Sequence, residues 1–176
     1  MLKPESHASR ATRDHKAEAP ACVPCVVVTC SDTRTAATDG SGQLMMRLLK
    51  EHGHEVTGYH VVKDEPAEIR SIVETAAKDD HVRVILINGG TGITRRDSTF
   101  EAIEGMLEKR LSGFGELFRS LTYDEIGSAA MMSRATAGVF RGRIIFSTPG
   151  SEHAVRLAME KLILPELGHV VQQLTK

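Results

Sequence analysis

A short apolar run that leads straight into a glycine-rich turn constrains the fold of this chain more than any other stretch. The run VILI, at positions 84–87, has the length and composition of a strand buried on both faces of a parallel sheet. It is followed by Gly89, Gly90, Thr91 and Gly92. Glycine allows positive φ and lets a ligand approach the main chain closely, and successive N–H groups in such a turn can converge on an anion. The stretch therefore predicts a parallel α/β fold with a candidate phosphate site.

Charged residues and a helix start follow the turn directly. Arg95, Arg96 and Asp97 come first. Ser98 and Glu101 then have the capping-box spacing that opens a helix, and the N-terminal end of a helix favours negatively charged ligands. The spacing of the glycines matches neither G-x-G-x-x-G nor a P-loop, so a tight strand-to-helix turn without a ligand is the alternative. The adjacent charges favour ligand binding, because a purely structural turn does not need them.

The composition is typical of one globular domain. With 176 residues and a formal net charge of -1, the chain is long enough to bury a core and has no bulk charge that would attract nucleic acid or an anionic membrane. No apolar run approaches the roughly 20 residues that span a bilayer, and the first residues lack the apolar segment of a secretory signal. We therefore expect a cytoplasmic protein with a flexible polar extension at 1–21 and a single domain at 22–176.

Three cysteines, Cys22, Cys25 and Cys30, lie at the start of this domain. An odd number does not suit a secreted disulfide framework. The C-x-x-C spacing of the first two is typical of a redox or zinc pair, but a zinc site needs further ligands and only Cys30 lies nearby. We therefore predict free thiols in a reducing compartment.

Apolar periodicity and turn residues predict alternating strands and helices along the rest of the domain. Strands are predicted at 23–30, 55–62, 84–87, 137–140 and 143–147. Helices are predicted at 39–52, 66–78, 99–111, 117–121, 123–137, 151–163 and 165–175, with a break at 112–116. Ser151 is a good N-cap for the helix that it opens.

Each of the first three predicted strands is followed by a polar loop that contains an aspartate: Asp32, Asp64 and Asp97. Right-handed crossovers between parallel strands would place these loops on one edge of the sheet, where open α/β sheets bind their ligands. Two or three carboxylates there could hold Mg²⁺, which takes one or two carboxylates together with phosphate oxygens and water. Aspartate is also a common cap and turn former, but the set of three favours a binding site.

Taken together, these residues resemble the MoaB/MogA family of molybdenum cofactor biosynthesis, which is related to the pterin-binding domains of gephyrin. The resemblance covers about 26–167 and depends on six short blocks in the right order. The blocks are Ser31-Asp32, Lys63-Asp64-Glu65, Gly89-Gly90-Thr91-Gly92 with Arg96-Asp97, Gly113-Phe114-Gly115-Glu116, Ser133-Arg134 and Pro149-Gly150-Ser151. The stretch 113–127, which includes Tyr123-Asp124-Glu125-Ile126-Gly127, looks closer to the MoaB branch than to MogA. Phe100 and Ser112 stand where many members have proline.

The resemblance implies a three-layer α/β/α domain with a mostly parallel central sheet that binds molybdopterin at its carboxyl edge. Active members use Mg-ATP to adenylylate the terminal phosphate of the pterin and release pyrophosphate. The family's two catalytic carboxylates, assigned here to Mg²⁺ binding as well, correspond to Asp64 and Asp97. The implied pterin-binding residues are Ser31, Asp32, Gly89, Gly90, Thr91, Gly92, Glu116, Ser133, Pro149, Gly150 and Ser151. A homo-oligomer, trimer or hexamer, is also implied, and the apolar pair Met131-Met132 is a candidate contact for it.

Two other functions stay open from the sequence. A protein of the same pathway could bind molybdopterin without catalysis, as a carrier or assembly subunit. A flavodoxin-like FMN protein would share the sheet class, but only two tyrosines and no tryptophan are available to stack on a flavin. The arginine that contacts a phosphate also stays open among Arg34, Arg95 and Arg96.

Overall fold

The computed structural model describes residues 19–175. The extension predicted at 1–21 therefore lies almost entirely outside the described residues. Its last residues already contact the domain, because a Cβ atom placed on Gly168 would lie 2.6 Å from the carbonyl oxygen of Pro20. None of the described helices is both long enough and apolar enough to pass through a membrane.

The described residues form one sheet of six strands with a mainly parallel arrangement. The strands are β1 (Pro24–Cys30), β2 (Glu55–Val62), β3 (Val84–Asn88), β4 (Lys109–Arg110), β5 (Thr136–Phe140) and β6 (Arg143–Thr148). Their order across the sheet is β2-β1-β3-β6-β5-β4. The first four in that order are parallel, and β5 and β4 add an antiparallel edge. All of β3 is buried, as expected for a strand that is covered on both faces.

Helices cover both faces of this sheet. They are α1 (Gly40–Glu51), α2 (Pro66–Lys78), α3 (Thr99–Glu104), α4 (Ser112–Ile126), α5 (Glu152–Ala158) and α6 (Leu164–Leu174), with a 3₁₀ segment at Gly127–Met132 and a π-helical turn at Met159–Ile163. Apolar side chains of α1, α4, α5 and α6 pack against one face, and those of α2 and α3 pack against the other. Both faces of the sheet are thereby removed from water. The predicted three-layer α/β/α architecture with a mostly parallel sheet is confirmed.

A crevice at the carboxyl edge of the sheet follows from this connectivity. The chain leaves β1 toward α1 on one face and leaves β3 toward α3 on the other. Since β1 and β3 are parallel neighbours, the loops that follow them turn away from each other. In open α/β sheets, such a topological switch point is where ligands bind.

Most predicted elements have the bounds that the sequence indicates, but the segment after α3 does not. The predicted bounds of β2 and α2 are those of the structure. The helix predicted at 99–111 is wrong beyond Glu104, because the chain then forms the short edge strand β4. Just after β4, the amide of Leu111 donates to the carbonyl of Ala137 at 2.7 Å. The ends of this part of the sheet therefore depend on a partner that is distant in sequence.

Two further predictions around α4 are also wrong. The break predicted at 112–116 is absent, since α4 begins at Ser112 and runs without interruption to Ile126. The helix predicted at 123–137 ends at Ile126, and the 3₁₀ segment and then β5 take its place. The helix predicted at 151–163 is α-helical only to Ala158 and continues as the π-helical turn at Met159–Ile163. The remaining elements differ from the prediction by one residue at most at either end.

The three cysteines have free thiols. Cys22 is exposed, whereas Cys25 and Cys30 are buried in β1. Desolvation by this burial raises the pKa of both buried thiols to about 12. A redox C-x-x-C pair needs an accessible thiol of low pKa, which Cys25 does not provide.

Candidate functional site

A cavity of about 410 Å³ lies at the carboxyl edge of the sheet. The loops after β1, β3 and β6 form its walls together with the end of the 3₁₀ segment. Its lining consists of Cys30, Ser31, Thr33, Arg34, Gly89, Gly90, Thr91, Gly92, Asp97, Met132, Ser133, Pro149 and Gly150. The fold therefore brings four separate stretches of sequence together at the switch point.

The glycine turn fits this position only because two of its residues lack side chains. Gly89 has a φ of +97°, and a Cβ atom there would sit 2.1 Å from the carbonyl oxygen of Cys30. Gly90 has a φ of +61°, and its Cβ atom would sit 2.1 Å from Oγ1 of Thr99 and 2.3 Å from Oδ2 of Asp64. Positive φ is also unfavourable for residues with a Cβ atom. The turn is therefore packed tightly between the end of β1 and Asp64.

Three successive amide N–H groups of this turn are available to a ligand. Within the part of the chain that the structure describes, the N–H groups of Gly90, Thr91 and Gly92 have no hydrogen-bond acceptor. The preceding N–H group, that of Gly89, donates to the carbonyl of Thr148 at 3.1 Å. Unpaired backbone N–H groups in a row form a concavity that suits an anion. The cavity wall therefore carries main-chain donors that are already in place.

Asp64 lies behind the turn and is almost fully buried, with 7% of its surface exposed. Its Oδ1 accepts hydrogen bonds from the Ser98 amide at 3.1 Å, the Ser98 hydroxyl at 2.9 Å and the Thr99 hydroxyl at 3.1 Å. Its Oδ2 has no hydrogen-bond partner among the described residues and lies next to Gly90. The start of α3 thus fixes one carboxylate oxygen and leaves the other for a ligand, although Asp64 lies outside the cavity lining.

Asp97 lies further along the same loop and lines the cavity. Its Oδ2 accepts hydrogen bonds from the amide of Thr94 at 3.0 Å and from the Thr94 hydroxyl at 2.6 Å. Its Oδ1 has no hydrogen-bond partner among the described residues. The same residues contain no group of three or more His, Cys, Asp or Glu side chains arranged for a metal. Two carboxylates with one oxygen each to spare still fit Mg²⁺, which completes its shell with water and phosphate oxygens.

Arg96 connects the loops that follow β1, β2 and β3. Its guanidinium donates to both carboxylate oxygens of Asp32 at 2.8 Å and to Glu65 at 2.7 Å. Oδ1 of Asp32 also accepts a hydrogen bond from the amide of Asp64 at 3.2 Å. The hydrogen bonds from Arg96 hold the pKa of Asp32 below its usual value. Asp32 therefore joins the loops at the rim and lies outside the cavity lining.

Of the three arginines that the sequence left open, Arg34 lines the cavity. Its Nη1 lies 3.7 Å from Oδ1 of Asp39, a carboxylate with no exposed surface. Asp39 caps α1 by accepting from the Gly42 amide at 3.0 Å, and its Oδ2 accepts from the Tyr59 hydroxyl at 2.7 Å. Burial and this carboxylate raise the pKa of Tyr59. The link between Asp39 and Arg34 was not predicted from the sequence, although an aspartate just before an apolar helical pattern is an N-cap signal.

The remaining predicted residues divide between the cavity and its surroundings. Ser31, Ser133, Pro149 and Gly150 line the cavity together with the turn. The hydroxyl of Ser41 donates to the carbonyl of Gly150 at 2.8 Å and so holds the turn at Pro149-Gly150-Ser151, which leads into α5, in place. Ser151 is the N-cap of α5 as predicted, accepting from the amide of Ala154 at 3.1 Å, and lies outside the lining. Glu116 is exposed on α4, also outside the lining, and its role stays a prediction.

An open α/β sheet with a glycine turn and two carboxylates at its switch point is typical of domains that bind small molecules. Residues 26–169 match the family model described as "Probable molybdopterin binding domain". Because this match covers most of the chain, the chain belongs to the molybdopterin-binding family that includes MoaB and MogA. The resemblance predicted from the six sequence blocks is confirmed.

Within this family, the chain is similar to Molybdenum cofactor biosynthesis protein B of Bacillus cereus, with 54% identity over 162 residues, which are 92% of this chain and 96% of that protein. The protein of the same name from Bacillus subtilis is 54% identical over 165 residues, 93% of this chain and 97% of the other. A crystal structure of Molybdenum cofactor biosynthesis protein B matches with a TM-score of 0.87 at 55% identity, over 90% of this chain and 99% of that one. The tungsten cofactor synthesizing protein MoaB from Pyrococcus furiosus matches with a TM-score of 0.79 at 37% identity, over 90% and 100%.

Proposed function

We propose that this protein acts in molybdenum cofactor biosynthesis by binding molybdopterin in the cavity and transferring AMP from ATP to the terminal phosphate of the pterin. An oxygen of the pterin phosphate attacks the α-phosphorus of ATP. The bond from that phosphorus to the oxygen bridging to the β-phosphate breaks, and pyrophosphate leaves. The observation that carries the proposal is the row of unpaired amides at 90–92 beside the carboxylates of Asp64 and Asp97. The names of the relatives support the pathway.

The residues of the cavity suit the requirements of this reaction. Nucleotidyl transfer needs a protein chiefly to align two polyanions and to offset the charge between them. The amides at 90–92 hold the pterin phosphate with donors that are already oriented, so that little ordering is lost on binding. Arg34 adds a positive charge to the lining of the same cavity.

The two carboxylates have a separate task in this proposal. Oδ2 of Asp64 and Oδ1 of Asp97 would hold Mg²⁺ together with phosphate oxygens of ATP, and the bound ion would offset the negative charge of those phosphates. Hydrogen bonds from Ser98 and Thr99 keep Asp64 oriented for this contact. Thr94 does the same for Asp97.

Incubation of the full chain with molybdopterin and Mg-ATP tests the proposal. We expect an AMP adduct of the pterin and release of pyrophosphate in equal amount. Asp97→Asn keeps the size of the side chain and removes its charge, so turnover should fall about 100-fold while molybdopterin still binds. The control is Asp80→Asn, an exposed position just before β3 and therefore at the opposite edge of the sheet, which should keep full activity.

The same assay separates the alternatives. Binding of molybdopterin with neither an adduct nor pyrophosphate would favour the carrier. Full turnover by Asp97→Asn would remove this carboxylate from the mechanism. A flavin that copurifies with the chain would instead support the FMN protein.

We also propose a homo-oligomer, trimer or hexamer, on the basis of exposed apolar side chains. Met131 is 80% exposed and Met132 is 53% exposed, and an exposed apolar patch is typical of a protein interface. Met132 also lines the cavity. An interface at this segment would therefore lie directly beside the site. Light scattering of the full chain measures the number of copies in the oligomer.

A further inference from the structure

Arg134 contacts the glycine turn from outside the cavity lining. It lies between the 3₁₀ segment and β5, next to the lining residue Ser133. Its Nε donates to the carbonyl oxygen of Thr91 at 2.8 Å, and its Nη2 donates to the carbonyl oxygen of Gly92. These contacts join positions that are 43 and 42 residues apart in sequence. A single side chain thus binds two consecutive carbonyl groups of the turn.

Two neighbouring side chains of the α3 start hold this guanidinium in place. The carboxylate of Glu101 accepts from its Nη1 and, at 3.3 Å, from its Nη2. The ring of Phe100 lies against it, with 4.8 Å between the guanidinium carbon and the ring centroid. An aromatic face attracts a guanidinium, and the planar fork of arginine fixes several bonds at once. With 24% of its side chain exposed, Arg134 is a fixed support rather than a mobile surface group.

The direction of the two carbonyl groups sets the direction of two amide groups. A trans peptide unit is planar, and its C=O and N–H bonds point in opposite directions. The carbonyls of Thr91 and Gly92 point toward Arg134, so the N–H groups of Gly92 and Ile93 point away from it. Neither N–H group has a hydrogen-bond acceptor within residues 19–175. The contact with Arg134 therefore turns two unpaired donors in one common direction.

We propose that Arg134 is a positioning residue for phosphate binding, which holds the Gly92 and Ile93 amides in the orientation that accepts an anion without itself touching the anion. The inference rests on the proposed binding of a pterin phosphate at this turn. Donors that are already oriented contribute more to affinity than donors that must be ordered first. If Arg134 only linked the turn to β5, its loss would lower the stability of the protein. It would also weaken the binding of phosphorylated and unphosphorylated ligands by the same factor.

The ratio of the affinities for molybdopterin and for its dephosphorylated form distinguishes these two roles. Wild type should bind the phosphorylated form more tightly, and Arg134→Gln should reduce the ratio about tenfold, which corresponds to about one hydrogen bond to a charged group. Arg134→Lys keeps the charge but loses the planar fork, and should recover only part of the ratio. The control is Arg156→Gln, which removes an exposed arginine paired with Glu160 and should leave the ratio unchanged.

An unchanged ratio in Arg134→Gln would overturn the inference, whatever the melting temperature of the variant. If Arg134→Gln does not fold, Glu101→Gln replaces it, since this carboxylate is exposed and its loss only loosens the guanidinium. The ratio should then fall by about threefold, which corresponds to part of the free energy of one hydrogen bond. A ratio equal to that of wild type in this second variant would also count against the inference.

Inorganic phosphate separates the failure of this inference from the failure of the proposed function. In amide NMR spectra of the ligand-free wild type, the Gly92 and Ile93 resonances should shift as phosphate is added. In Arg134→Gln, the same shifts should need about tenfold more phosphate. If these shifts occur but molybdopterin does not bind, the proposed function fails and the inference stands. If phosphate moves neither resonance in wild type, or acts equally on the variant, the inference fails.

Discussion

The substitution Gly90→Ala would measure how firmly the glycine turn is held against Asp64. The added Cβ atom has two effects on the free energy of unfolding. At a φ of +61°, alanine is unfavourable by about 1–2 kcal/mol. The atom would also sit 2.3 Å from Oδ2 of Asp64, a side chain that Ser98 and Thr99 hold by its other oxygen. Forcing an extra methyl group into such a place typically costs about 1–3 kcal/mol.

Gly53→Ala is a matched control that isolates the backbone effect. Gly53 has a φ of +79°, but no heavy atom other than those of Gly53 and its chain neighbours lies within 4 Å of the position of its Cβ atom. We therefore expect this variant to lower the free energy of unfolding by about 1 kcal/mol, and Gly90→Ala by about 3 kcal/mol. In a domain of this size, each kcal/mol corresponds to about 2–4 °C in Tm. The expected decreases in Tm are therefore about 2–4 °C and about 6–12 °C.

Urea unfolding of both variants beside wild type gives the two free energies, and calorimetry gives the two Tm values. Gly90→Ala should also lose most of its turnover, because the new methyl group displaces the carboxylate of Asp64, whereas Gly53→Ala should keep wild-type turnover. Equal losses of unfolding free energy in the two variants would refute the reasoning. That result would mean that Asp64 and Thr99 move aside at no cost.

Two further predictions concern charged groups and thiols. A thiol reagent at about pH 8 should label Cys22 quickly and leave Cys25 and Cys30 unlabelled until the chain unfolds, because burial raises the pKa of these two thiols to about 12. Mass spectrometry of the folded protein measures the labelling. Fast labelling of Cys25 would contradict its burial. Arg96→Gln should remove a contribution to stability that is fully present above the unfolded-state pKa of Asp32, about 3.9, and is lost as the pH falls through the lowered folded-state pKa. The Tm values of wild type and Arg96→Gln should therefore differ at about pH 6 and converge toward about pH 2, and a constant difference would speak against the pair.

Local patterns were sufficient for β2 and α2 but not for the antiparallel edge. The β-branched residues of β2 and the proline at the start of α2 act over a few residues, and both elements have their predicted bounds. The edge is different, because the amides of Glu108 and Leu111 donate to the carbonyls of Val139 and Ala137. No pattern within 105–111 indicates hydrogen-bond partners that lie about 30 residues away in the sequence. The apolar residues there therefore gave a false helical period.

The glycines of α4 were misleading for a different reason. Gly113 and Gly115 lower the intrinsic helix propensity of the segment, and the sequence alone therefore predicts a break. In the structure, a Cβ atom on Gly115 would lie 2.6 Å from the carbonyl oxygen of Ala135. The helix packs closely on the chain before β5, and only glycine leaves room for this contact. Close packing determines this residue, and propensity does not.

The site itself was predicted as a set of loops on one edge of the sheet, but the pairing of its charges was not. Arg34 and Arg96 are both arginines in polar loops, and nothing in their neighbours along the chain distinguishes them. The structure pairs Arg96 with Asp32 and Glu65 and leaves Arg34 on the cavity wall. This choice depends on which loops the parallel pairing of β1, β2 and β3 sets side by side.

The contacts of Arg96 restrain three loops at the rim of the site at once. The guanidinium belongs to the loop after β3, and its partners Asp32 and Glu65 belong to the loops after β1 and β2. A loop that swings outward must break its bonds to the others, so these bonds oppose the opening of each segment. When a ligand binds to one of these loops, the contacts of Arg96 already restrain the other two. Binding therefore does not cost the conformational entropy of each loop separately.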